Sequence, residues 1–121
     1  MQYKTKISGN LLEVSLQNLG AQIGYLQLII WSDNAEIRLW AVHADYREKG
    51  YAREMLKRAV EKLKSNTRVG IIKVVPHPED ILSGQLIKLE ELYGVYSKLG
   101  FEFVEENPDI HKIGQKMFMY V

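Results

Sequence analysis

The chain has 121 residues, 46% hydrophobic and 26% charged, which is the size and composition of a single globular domain spanning 1–121 and excludes a disordered chain. Its 16 lysines and arginines against 15 aspartates and glutamates leave no charge surplus that would call for nucleic acid, an acidic membrane surface or another polyanion. With no cysteine, disulfides, thiolate metal sites and a cysteine nucleophile are excluded.

Met1-Gln2-Tyr3-Lys4 is not followed by an apolar run of signal-peptide length, and no stretch approaches bilayer-spanning length; the expectation is a soluble, cytoplasmic protein. Leu11 to Leu16 alternates in the β manner and Ile23 to Ile30 is rich in Ile, Leu and Tyr, so the first half reads as a strand meander. Ser32-Asp33-Asn34 is a turn signal between Ile29-Ile30-Trp31 and the run Glu36 to Val42, which predicts an antiparallel hairpin. After Gly50 the period turns helical. Ala52, Met55, Leu56, Ala59, Val60 and Leu63 form one stripe, and the charged stripe opposite, with Glu54 and Glu61 offsetting its lysines and arginines, reads as a solvated face ending near Ser65-Asn66.

Arg68 to Val75 reads as an inner strand stopped by Pro76-His77-Pro78. Leu86, Leu89, Leu92, Tyr93, Tyr96 and Leu99 recur at helical spacing and predict a second helix over 82–99, halted by Gly100. Phe101 to Val104 and Lys116 to Val121 are two closing strands. Four strands, helix, strand, helix and two strands make an α+β chain with a mixed, mostly antiparallel sheet and a central parallel strand-helix-strand unit of right-handed crossover.

The segment from Val42 to Arg53 passes from strand to helix through a tight turn. Such a junction is a candidate anion site, because the first amides of a helix lack intrahelical acceptors and the helix dipole adds partial positive charge. Gly50 admits backbone angles closed to other residues, Ala52 permits close approach to the main chain, and Arg47, Lys49 and Arg53 supply cations. Read alone, the segment is equally an ordinary strand-to-helix turn. Its order Arg-x-x-Gly-x-Ala, between an apolar strand and an amphipathic helix, closely resembles the acyl-CoA signature of the GNAT N-acetyltransferases.

That resemblance implies that the amides across Arg47, Glu48, Lys49, Gly50, Tyr51 and Ala52 hold the pyrophosphate of coenzyme A, with Arg53 beside them. It also implies that the pantetheine arm runs along Val42, His43 and Ala44. A Walker loop does not fit, since no Gly-Lys-Ser/Thr follows, and G-x-G-x-x-G spacing is absent. Leu92 to Phe101, reading L-Y-G-V-Y-S-K-L-G-F, resembles the second recurrent segment of that family, so the resemblance covers roughly 36–121. It implies that Tyr96 donates a proton to the departing thiolate, for which a phenol of pKa ~10 is suitably protonated at neutral pH. On the residues alone, without the Gly100-Phe101 context, Tyr96 reads rather as a core aromatic on the apolar stripe of the helix.

Two departures stand out: Leu89 occupies a position where many relatives carry asparagine, and the loop Pro76 to Ser83 is longer than in many members. Transfer to an amine also needs a proton acceptor. Glu36 lies at the same offset from the turn as the catalytic glutamate of the histone acetyltransferase branch; its other reading is an exposed carboxylate beside the Ser32-Asn34 turn. His43 is a second conceivable base, or a strand histidine facing away from the cleft. His77 and His111 lack ligand-spaced partners, so no metal is expected.

The sequence before Ile23 leaves no room for the helices that family members place between their first two strands. This implies either an open acceptor cleft suited to a chain end or a cleft completed by a second subunit in a homodimer. The implied function is direct transfer of an acetyl group from acetyl-CoA, as cosubstrate, to a primary amine acceptor of open identity, the oxyanion being held by amides at the end of the Ala41 to Ala44 strand. The alternative is a non-catalytic CoA-binding or protein-interaction module on the same fold.

Overall fold

A computed structural model of the chain describes residues 1–77 and 88–121. Seven strands form one mixed sheet with the order β1-β2-β3-β4-β5-β7-β6. The first four, β1 (Gln2–Ser8), β2 (Leu11–Asn18), β3 (Ala21–Ile30) and β4 (Asn34–Val42), make the expected antiparallel meander. Tight turns join them. At Leu19-Gly20 both residues take positive φ, 52° and 83°, the twist that suits a two-residue hairpin.

Helix α1 (Tyr51–Asn66) follows and leads to β5 (Ile71–Val74), which pairs parallel with β4. Arg68 to Gly70 lie outside β5, where the Gly70 amide donates to Asp33 O. Helix α2 (Leu89–Lys98), β6 (Glu102–Phe103) and β7 (Met117–Tyr120) complete the chain. The second helix was expected from Leu82; the segment 82–87, with Leu86, lies outside the described residues.

Both helices lie on one side of the sheet. β5 is antiparallel to β7 and β7 to β6, so β5 and β6 run parallel, and both helical connections step across the sheet in the same direction. Right-handed crossovers then place α1 and α2 on the same face. The contacts agree: Arg53 Nη2 of α1 donates to Lys98 O of α2 over 3.1 Å.

The core is the layer between the sheet and these helices. Leu12, Val14, Leu16, Leu26, Leu28 and Ile72 meet Met55, Leu56, Ala59, Leu63, Tyr93 and Tyr96 in one cluster, as the period-2 and period-3.6 patterns require. Gly24 lies where a Cβ would stand 3.1 Å from Met55 Sδ and 3.2 Å from Leu16 Cβ, which lets α1 settle close to β3. The opposite sheet face carries Glu13, Ser15 and Gln17 of β2, Tyr25, Gln27 and Ile29 of β3, and Glu36 of β4, all partly buried. Among the described residues no helix lies over it.

Candidate functional site

The site begins where β4 and β5 part. Their parallel pairing spans only Asn34↔Ile71, Ala35↔Ile72 and Glu36↔Lys73, whereas β4 runs on to Val42. Among the described residues the β5-facing edge of 37–42 therefore has no strand beside it. A β-bulge sits at the same point: Ile37 pairs with Leu28 and Leu39 with Gln27, leaving Arg38 without a partner in the register. Bulges bend a strand and re-aim its side chains.

Backbone directions along the open edge follow from one hydrogen bond. The His43 amide donates to Ile23 O of β3 over 2.8 Å. Alternate residues of an antiparallel strand point their amides and carbonyls to opposite sides. Val42 and Trp40 consequently aim theirs at the vacant edge. Val42 O is met by Arg47 Nε at 3.0 Å, which ties the turn to the strand end. The run expected to carry an extended ligand, Val42 to Ala44, is thus available only at Val42. The His43 amide is committed to β3, and Ala44 opens a 3₁₀ turn, Ala44–Tyr46, that the sequence reading did not anticipate.

His43 caps that turn, its Nδ1 accepting from the Asp45 amide at 3.3 Å, and it does not line the cleft described below. Lys49 Nζ lies 5.7 Å from the Tyr46 ring centroid. Glu48 has φ 61° and Gly50 φ 83°; the left-handed angle at Gly50, without a Cβ penalty, turns the chain into α1. The first intrahelical bond runs from the Glu54 amide to Gly50 O over 3.1 Å. The amides of Tyr51, Ala52 and Arg53 precede it, and among the described residues no side chain caps the helix. Three donors thus converge where the dipole favours an anion. A Cβ built on Gly50 would meet nothing within 4 Å, so the space beyond the turn is open.

A cleft of about 350 Å³ lies along the parted strands. One wall is β4 from Glu36 to Trp40, the other is Val74, Val75 and His77 at the end of β5, and Tyr96 of α2 reaches in from the helix layer. Glu36 and Tyr96, chosen from unrelated sequence features, are thus brought to one cleft. Tyr96 is 7% exposed and held edge to face against Trp40 and Phe101. Burial pushes its phenol well above the ordinary tyrosine value, so it is a proton donor at neutral pH and not a base.

Three further residues of this cleft were not anticipated from the sequence. Trp40 Nε1 is buried with no hydrogen-bond acceptor among the described residues, which costs about 1–3 kcal/mol. Arg38 and His77 also line the cleft; the bulge that sets the position of Arg38 has no signature in E-I-R-L-W-A-V. Leu89, where asparagine was the family expectation, opens α2 and rests against the core. Of the loop Pro76 to Ser83, only Pro76 and His77 are among the described residues. Among the described residues no group of three or more His, Cys, Asp or Glu could hold a metal ion, and no helix is long and apolar enough to cross a membrane.

Solved structures share this architecture. The PaiA N-acetyltransferase of Thermoplasma acidophilum, in complex with coenzyme A, is 18% identical with a TM-score of 0.69 over 93% of this chain and 62% of that one. This chain therefore spans less than two thirds of that protein's length. A GNAT family acetyltransferase of Elizabethkingia anophelis with acetyl-CoA bound is 18% identical, with a TM-score of 0.63 over 93% of this chain and 77% of that one. An aminoglycoside 6'-N-acetyltransferase complexed with coenzyme A is 17% identical, with a TM-score of 0.67 and coverage of 93% and 73%. These likenesses show the fold. Comparison with curated protein sequences finds no match. The family model described as an acetyltransferase (GNAT) domain matches residues 11–103, and on that match the chain belongs to the GNAT acetyltransferases.

Proposed function

We propose that the protein transfers an acetyl group from acetyl-CoA to a primary amine by direct attack. The observation that carries this reading is the shared cleft: Glu36 and Tyr96 line it together, beside a strand edge left open by the parting of β4 and β5.

The residues divide the work by what they can donate or accept. The uncapped amides of Tyr51, Ala52 and Arg53 suit the diphosphate of the cosubstrate. The open edge at Trp40 and Val42 offers amides and a carbonyl to its amide-bearing arm, as an added strand would use them. Neighbours of the same fold bind coenzyme A or acetyl-CoA, which supports this placement.

In the transfer step the amine nitrogen attacks the thioester carbonyl carbon, a C–N bond forms and the C–S bond breaks. The amine's surplus proton passes to Glu36, directly or through water, and Tyr96 supplies a proton to the departing sulfur. An edge amide of β4 is the available donor for the carbonyl oxygen as it gains charge.

The absence of cysteine makes the test direct, because a thiol-reactive chromophore reads only coenzyme A released by turnover. With acetyl-CoA and a panel of primary amines, amine-dependent thiol release with a matching acetylated product is expected. Binding of acetyl-CoA without release for any amine would favour the non-catalytic module.

A further inference from the structure

Three groups in the cleft are chemically unmatched. Glu36 presents a carboxylate, which only accepts; Arg38 presents a guanidinium, which only donates; the Trp40 indole N–H only donates and is buried. None of the three has a hydrogen-bond or ion-pair partner among the described residues. A simple alkylamine would answer Glu36 alone.

We propose that Arg38 selects the acceptor, and that this acceptor is a small amphoteric amine bearing a carboxylate or phosphate a few bonds from its nitrogen. The inference rests on the acetyl-transfer reading and narrows its substrate class. The ammonium end lies toward Glu36, where it loses its proton, and the anionic end takes charge-assisted hydrogen bonds from Arg38. Trp40 lines the same cleft and so reports on what binds there.

Geometry favours a short ligand. Positions 36 and 38 are two steps apart on one strand, roughly 7 Å at the backbone, and the bulge at Arg38 breaks the alternation around it. Both side chains line one cleft of about 350 Å³, so a single small ligand can meet both. Arg38 is exposed and Glu36 partly buried, so the anionic end lies at the mouth and the amine deeper.

The test compares β-alanine and phosphoethanolamine with propylamine and ethanolamine, using wild type and Arg38→Gln at saturating acetyl-CoA. Wild type is expected to favour the anionic amines by about tenfold or more in kcat/KM, through KM. Arg38→Gln should bring that ratio close to one while acetyl-CoA binding, followed by calorimetry, persists. Alongside, the indole N–H resonance of Trp40, one of two tryptophans, should shift on adding β-alanine and not propylamine.

Acetylation of all four amines without preference would overturn the inference and leave the transfer reading standing. An Arg38-dependent shift of the Trp40 resonance without turnover would show a site for anionic amines at Arg38 that is not an acceptor site, and would overturn both the inference and the transfer reading. Neither turnover nor a shift would remove both. A preference for carboxylate over phosphate, or the reverse, identifies which anion the site reads.

Discussion

Trp40 and Tyr96 meet edge to face, ring centroids 5.3 Å apart at 84°, and so lock the end of α2 against the exposed edge of β4. Phe101 completes the cluster, its centroid 5.4 Å from Tyr96 and 6.5 Å from Trp40. Its amide donates to Tyr96 O over 3.1 Å. The Tyr96 ring is thus held by packing against Trp40 and Phe101. Tyr96→Phe should leave the packing, the thermal midpoint and acetyl-CoA affinity nearly unchanged. It should lower kcat by about 100-fold, the low end for a lost acid, since a thiolate is a moderately good leaving group. Steady-state kinetics beside calorimetry reads both halves.

The same burial has a consequence for stability against pH. Tyr96 is held above the ordinary value of 10.0 by desolvation. Below about pH 10 the phenol is protonated in both folded and unfolded chains and its contribution is constant. Above it the unfolded chain ionises while the folded one resists, so stability falls as pH rises. Tyr3 and Tyr25 are raised as well, first by burial, but both are far more open to solvent. Urea midpoints from pH 8 to 11 should decline at the alkaline end, and Tyr96→Phe should blunt the decline.

Glu36→Gln removes the proton acceptor and keeps the side-chain shape. The expected loss in kcat/KM is about 100-fold at pH 7. It should shrink as pH rises toward the pKa of the acceptor ammonium, near ~10, because a neutral amine needs no base. A pH profile of both proteins checks this, and a deficit constant with pH would argue that Glu36 only shapes the cleft.

Leu26, fully buried at the centre of β3, faces the helix layer. Leu26→Ala leaves a cavity there and should cost about 2–5 kcal/mol of stability, read from denaturant unfolding.

Much of this was legible in the sequence because its signals are periodic or sterically obligatory. The alternation of Leu12, Val14 and Leu16, the stripe from Met55 to Leu63, and Gly50 each dictate local geometry. Strand β1 was the least visible of the meander, since its alternating Tyr3, Thr5 and Ile7 carry little apolar character. The parting of β4 from β5 and the bulge at Arg38 were not legible, because they arise from pairing between distant segments. For that reason Arg38, Trp40 and His77 were missed as cleft residues. The commitment of the His43 amide to Ile23 was hidden on the same ground.

The most direct test is a calorimetric titration of the wild-type protein and Gly50→Glu with acetyl-CoA. Glutamate at φ 83° is strained and sets a negative charge beside the uncapped amides of α1. Micromolar binding by the wild type, weakened at least tenfold in the variant while the fold persists by circular dichroism, is the predicted result. No binding by the wild type, or equal binding by both, would contradict the assignment of this turn as the cosubstrate site.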